Sequence, residues 1–313
     1  MGTAQSIDFS VIIPVLNGER FIGRALDSIY KQSYPSVEIL VFDGGSKDKT
    51  LDILGRYAEV TIITGPDLGP HDAMNRGIHM ATGEIITFLN CDDVFADNIF
   101  ALVGKTFGDD PSLGIVGGAS VIFTQHLNGP KRILAHRTHK RSNGLDIGEL
   151  TLGAPCFNSR FFRKSLFIKI GNFNLKYQYS ADRELLLRAT MAHVKSQTLT
   201  PLFYFFQSHP GSRTLDQNFK NQKLISEEHR KIAESLIARS SDNNDFSINL
   251  RIWLGFENLR QAFWNLKAKN WSQFLKIIAN STRKDIGWLV LALYGLILAK
   301  YLWRRDRKGT NTA

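Results

Sequence analysis

At 313 residues the chain is long enough to bury a sizeable core, as one large domain or two small ones. Its formal charge of +10 suggests a nucleic-acid binder only until it is located: residues 251–313 hold 12 Lys and Arg against three acids, and all five Trp, whereas residues 1–250 are nearly neutral with 27 basic and 26 acidic side chains. That distribution excludes a basic nucleic-acid surface on the larger part, and a total of two cysteines, Cys91 and Cys156, excludes a disulfide framework.

Residues 9–13 read as a fully buried strand stopped by Pro14, with no apolar signal segment before it, so the catalytic part is expected to face a reducing cytosol. Phe21, Ala25, Leu26, Ile29 and Tyr30 recur at helical spacing. Strands are predicted over 37–42, 60–63 and 84–89, and helices over 48–57 and 72–81. Short apolar strands alternating with helices imply a parallel sheet covered on both faces, whose ligands bind beyond the carboxyl ends of the strands. After residue 113 the rhythm changes: short, antiparallel strands are expected at 115–118, 120–123 and 132–135, helices at 160–170 and 181–192, and a strand at 199–206. The polar, turn-forming run 240–245 is the best boundary candidate.

Four places carry chemistry. Asp43-Gly44-Gly45-Ser46 joins a strand to a helix; the glycines permit close approach of a ligand, and Ser46 is placed to cap the helix. "FLNCDD" at 88–93 runs a buried strand into Asp92 and Asp93, which either cap a helix or hold a divalent cation. Asp182 opens a helix, as a first-turn acid or as a general base for an acceptor hydroxyl, and His209 is a possible further metal ligand. There is no GxGxxG and no Walker-type lysine loop, which argues against dinucleotide and P-loop chemistry.

Taken together, "FSVIIPVLNGERFIGRALDSIYKQSYPSVEILVFDGGSKDKT", "GPDLGPHDAMNRGIHMATGEIITFLNCDDVF" and the block from "GAPCFNSRFFRKSLFIKIGNFNLKYQYSADRELLLR" to "QSHPGSRT" resemble family 2 glycosyltransferases of the GT-A fold, over residues 8–215. The resemblance implies a Rossmann-like mixed sheet flanked by helices, and inverting transfer from a nucleotide-sugar, usually a UDP-sugar, with a Mn or Mg ion. It places Pro14 and Asn17 near the nucleoside, Asp43 at the base, and Asp67, Asn75 and Arg76 along the nucleotide. It makes Asp92 the second acid of a DxD motif and a metal ligand, His209 a further metal ligand, and Asp182 the base of an xED motif. Two positions depart from the pattern: Asn90 stands where DxD has its first acid, leaving it a hydrogen bond to a ribose hydroxyl but no charge, and Ala181 stands where xED has Glu. Asp93 is left as a helix cap. No QxxRW motif is present, which favours transfer of a single sugar over polymerisation.

In the tail, Trp253, Phe256, Leu259, Phe263 and Leu266 recur at helical spacing, as do Trp271, Phe274, Leu275 and Ile278, with basic residues between them. A helical cap on the catalytic domain and an interfacial membrane helix both fit. Residues 286–303 are apolar except for Lys300, about 27 Å as a helix against about 30 Å of hydrocarbon. Basic flanks on both sides argue against a single span. The expected organisation is a GT-A domain over 1–215, a helical extension over 216–284, and a membrane-interfacial or transmembrane helix over 285–308. Membrane contact runs through 251–308 at the cytoplasmic face of the inner membrane, monotopic or single-span, which suggests a polyprenyl-linked acceptor in surface-glycan assembly and no nucleic acid. The competing expectation is a catalytically silent GT-A scaffold. The residues do not indicate the donor sugar, the linkage or the oligomeric state.

Overall fold

The structure, a computed structural model, describes residues 7–124, 132–137, 142–153, 155–212, 219–240, 244–284 and 287–308. Its first half alternates as expected: β1 (Phe9–Val15), α1 (Ile22–Tyr30), β2 (Val37–Asp43), α2 (Thr50–Leu54), β3 (Val60–Thr64), α3 (Pro70–Met80) and β4 (Ile85–Phe88). Then come β5 (Val94–Phe95), α4 (Ile99–Asp109), β6 (Ile115–Thr124), β7 (Arg132–Arg137), β8 (Ser142–Asn143) and α5 (Ile147–Thr151). After these follow β9 (Arg160–Arg163), α6 (Ser165–Ile170), α7 (Ala181–Met191) and β10 (Ser196–Gln207). The chain continues in α8 (Phe219–Ile237), α9 (Asp245–Lys267), α10 (Trp271–Lys284) and α11 (Trp288–Lys308).

The strands form one mixed sheet in the order β3-β2-β1-β4-β9-β6-β10-β5, with β7 beside β6 and β8 beside β10. Its first four strands are parallel, and β9 lies antiparallel to both β4 and β6. Side chains alternate across the sheet, so Ile12, Leu40 and Ile86 enter one core while Val11, Ile13, Ile39, Val41 and Ile85 enter the other. The result is a GT-A fold. Pro14 lies inside β1 instead of ending it. Leu89 N–H donates to Ile12 O at the end of β4, so no strand on that side needs the N–H that Pro14 lacks.

Two further expectations are corrected. Residues 160–163 are strand, not helix: Phe161 and Phe162 are both fully buried, one in each core, a pattern that sequence periodicity cannot tell from a buried helical turn. Residues 115–124 form one strand, not two.

The C-terminal helices share the first core, to which α8 contributes Ile232, Ala233 and Leu236 and α9 contributes Leu250 and Trp253, alongside Leu185, Leu186 and Leu187 of α7. The expected boundary at 240–245 falls partly outside the described residues; Asn244 caps α9 by accepting from Ser247 N–H at 2.8 Å. Helix α11 packs on α9 through glycine: a Cβ on Gly255 would stand 3.0 Å from Trp288 O, and one on Gly295 3.2 Å from Ile252 Cγ2. Its other side leaves Val290 72%, Ile297 65% and Tyr294 51% exposed, and Trp271 and Leu275 of α10 are exposed as well. Among the described residues no helix is long and apolar enough to cross a membrane.

Candidate active site

At the carboxyl edge of the sheet lies a cavity of about 970 Å³, lined by the end of β1 and the loop after it, the turn before α3 and the segment after β4. Its lining includes Pro14, Asn17, Asp67, Asn90, Asp92, Asp182 and His209, so seven of the residues singled out in the sequence meet there. Asn17 sits in the left-handed region (φ 53°), where a short polar side chain is tolerated. Its N–H donates to Ser46 Oγ and its Oδ1 accepts from Lys47 N–H, both at 2.8 Å, which locks the loop after β1 to the loop after β2. Ser46 is therefore a loop latch, not a helix cap. Asp43 is buried and accepts from the N–H groups of Gly45 and Ser46 at 3.1 Å; it supports the turn from behind the lining. Asp67 accepts from Gly69 N–H at 2.8 Å, just before α3.

Asn75 and Arg76 are not brought into the lining. The Asn75 amide is occupied at both ends by the backbone of Phe173, donating to its O and accepting from its N–H at 2.9 Å, and Arg76 stacks over Phe42 at 5.3 Å. Both residues hold α3 in place from outside the cavity.

The two carboxylates after β4 separate by direction. Asp92 meets His209 Nε2 at 2.9 Å, and the imidazole leans on the Phe21 ring at 4.7 Å. Asp93 turns inward and accepts from Gln207 N–H (2.8 Å), Tyr204 Oη (2.9 Å) and Asn90 Nδ2 (2.9 Å). It leads into β5 and does not cap α4, which begins six residues later at Ile99. Burial, then the Asp92 charge, pushes the Asp93 carboxyl well above the usual carboxylate range, and burial beside Asp93 raises Tyr204 likewise. Asn90 is thus tied to Asp93 through its amide nitrogen.

Among the described residues no group of three or more His, Cys, Asp or Glu is arranged to hold a metal. The Asp92–His209 pair nevertheless fits one: a carboxylate and an imidazole converge on one point of the wall, a donor set that suits Mn(II) and leaves positions for ligand oxygens. Gly211 N–H donates to His209 Nδ1 at 3.2 Å, so Nε2 carries the proton toward Asp92, and metal ligation through Nε2 requires this weak contact to break.

Asp182 lies in the first turn of α7, and Arg183 fixes that turn by donating to carbonyls at and just after the C-terminus of α5: Leu150 O at 2.6 Å, Thr151 O at 2.8 Å and Gly153 O at 3.2 Å. Arg183 also stacks on Trp253 of α9 at 5.7 Å. The turn that carries Asp182 is therefore held from both sides.

Residues 10–171 match Glycosyl transferase family 2. The chain belongs to that family. It is 34% identical over 188 residues to a PGL/p-HBAD biosynthesis glycosyltransferase of Mycobacterium bovis, covering 58% of this chain and 68% of the relative. Over 94 residues it is also 34% identical to an uncharacterized glycosyltransferase of Haemophilus influenzae, covering 28% of this chain and 38% of the relative. S. aureus TarS 1–349 in complex with UDP-GlcNAc superposes with a TM-score of 0.66 at 18% identity, over 98% of this chain and 93% of that one. PcManGT from Pyrobaculum calidifontis, a mannosyltransferase in complex with GDP-Man and Mn2+, gives 0.57 at 16% identity, over 97% and 89%. At these identities the two structures show the shared fold.

Sequence reasoning missed the far wall of the transferase's cavity, which α8 and α9 supply through Gln222, Ile225, His229 and Arg260. His229 donates from Nδ1 to Glu257 at 2.8 Å, and both side chains are buried. Burial, then the Arg183 charge, lowers His229 to about 4. Against its own burial, which raises it, Glu257 is drawn below the usual range by the His229 hydrogen bond and by Arg260. Both shifts have one sign. The unfolded chain protonates His229 at an ordinary imidazole pKa and the folded chain does not, so stability is whole above about pH 6.5 and is lost as pH falls toward 4. Glu257 adds to that loss at the acid end. Thermal unfolding at pH 7.5 and 5.0 should show a clear fall in Tm for the wild type and a smaller one for His229→Gln; equal falls would contradict this assignment.

Proposed function

We propose that the enzyme transfers a single sugar, with inversion, from a nucleotide-sugar to an acceptor hydroxyl, and that the donor is a UDP-sugar. The observation that carries this reading is the meeting of the Asp92–His209 pair and Asp182 on one cavity at the carboxyl edge of the sheet. The nucleoside lies along Pro14, Asn17 and Asp67, with Asp43 behind them and Asn90 toward the ribose. The acceptor oxygen attacks the anomeric carbon in line, its proton passes to Asp182, and the bond from that carbon to the diphosphate oxygen breaks, the electron pair leaving with the nucleoside diphosphate. A Mn or Mg ion, when bound, neutralises charge on the leaving diphosphate, and Asp92 and His209 would hold it. Incubation with a panel of UDP- and GDP-sugars and Mn should release UDP from at least one UDP-sugar. Release of GDP alone would move the donor class, and no release from any donor would favour a silent scaffold.

The acceptor in this reading is a polyprenyl-linked saccharide met at the cytoplasmic face of the membrane. Support comes from exposed apolar side chains on α10 (Trp271, Leu275) and on α11 (Val290, Leu293, Tyr294, Ile297), with Lys276, Arg283 and Lys300 of the same helices exposed too. Helices that expose both apolar or aromatic side chains and cations suit an anionic interface. No described helix is both long and apolar enough to cross, and the interfacial arrangement is the one proposed. Co-sedimentation with phosphatidylglycerol-containing vesicles should exceed that with pure phosphatidylcholine; equal or absent binding would remove the membrane from the account.

A further inference from the structure

The same cavity is also lined by Gln178 and Arg183, before and within α7, Gln222 and His229 on α8, and Arg260 on α9. Helices α8 and α9 lie outside the residues that match the family, 10–171. With the donor at the sheet edge, as proposed above, what remains beyond the base is the room for the acceptor.

The charges at this end are unevenly satisfied. Glu257 lies behind the wall at 1% exposure and divides its carboxylate among Ser226 Oγ (2.6 Å), His229 Nδ1 (2.8 Å) and Arg260 Nε (3.0 Å). The Arg260 Nε contact is close but misdirected: Nε and Nη2 are both buried with no hydrogen-bond partner among the described residues. The guanidinium carbon lies over the Trp264 ring, 4.9 Å from its centroid, and the side chain keeps 25% exposure and lines the cavity. A buried guanidinium with unmade hydrogen bonds is costly, and a planar fork of donors matches phosphate oxygens. Arg183 lines the same cavity and donates to three backbone carbonyls.

We propose that the α8–α9 end of the cavity is the acceptor subsite and that Arg260, with Arg183 beside it, receives a phosphate or diphosphate group carried by the acceptor. The acceptor hydroxyl is thereby placed toward Asp182, and a phosphate-free sugar is a poor acceptor. The same chemistry is offered by a lipid diphosphate and by a soluble phosphorylated sugar.

The test is calorimetric titration of inorganic pyrophosphate into the full chain in EDTA, so that the Asp92–His209 end cannot take it through a metal. Wild type and Asp92→Ala should bind alike, whereas Arg260→Gln should bind at least about tenfold more weakly. Gln222→Glu leaves the Glu257 contacts intact and puts a negative charge in the same wall; it should weaken binding too, which guards against a folding defect in Arg260→Gln. Farnesyl diphosphate, titrated in parallel, separates the sources: tighter binding than pyrophosphate, lost in the same variants, assigns a lipid diphosphate, and equal binding assigns a soluble one. Undiminished binding by both variants, loss in Asp92→Ala instead, or no binding by the wild type overturns the proposal. A UDP titration with Mn on the same preparations reports on the donor reading separately.

Discussion

Asp182→Asn should lower sugar transfer by about 10²- to 10⁴-fold while leaving nucleotide affinity unchanged. The substitution keeps the shape of the side chain and the oxygen that accepts from Arg183 N–H at 2.7 Å, so the first turn of α7 has no reason to move. It removes only the capacity to take the acceptor's proton. Single-turnover nucleotide release in the presence of acceptor measures the chemical step, and calorimetry of the nucleotide measures the binding. Unchanged turnover would remove Asp182 as the base, and a parallel loss of nucleotide binding would mean that the variant had disturbed the cavity.

The second large effect is structural. Trp253 is fully buried, touches the His229 ring at 4.9 Å and carries the Arg183 guanidinium at 5.7 Å, so it joins α9 to α8 and to the helix bearing Asp182. Trp253→Ala should cost about 3–5 kcal/mol, the range for emptying a large aromatic site in a packed core. Urea denaturation followed by far-ultraviolet circular dichroism gives the difference. A loss below about 1 kcal/mol, as for a surface position, would show that the extension is not packed as described. Because Arg183 loses its stacking surface, turnover should fall as well at temperatures where the variant is folded.

The alternation of short strands and helices up to Phe88 was legible because each strand is a compact apolar run and each helix shows helical spacing. Asp92, Asp182 and His209 were legible as a set only through the ordered motifs of the family, since 117 positions separate Asp92 from the histidine it meets. The inward turn of Asp93 was not legible, because Tyr204 and Gln207, which define its environment, arrive from β10. Asn75 belonged to a motif, but its amide is engaged by the backbone of Phe173, 98 positions away, and nothing local in the sequence indicates that contact. Residues 160–163 were misread because a strand buried on both faces has lost the alternation that marks a strand. Gln222, His229 and Arg260 carried no signal, being single polar positions on helices whose apolar stripe is all that periodicity reports.

The central claim is that Asp92 and His209 serve a metal–nucleotide site in the same cavity as Asp182. Calorimetric titration of UDP into the wild type and Asp92→Ala, each with and without Mn, tests it most directly. The account predicts binding that requires Mn and disappears in the variant. Metal-independent binding retained by Asp92→Ala would contradict the role given to the carboxylate–imidazole pair, and silence toward both UDP and GDP would contradict the donor site itself.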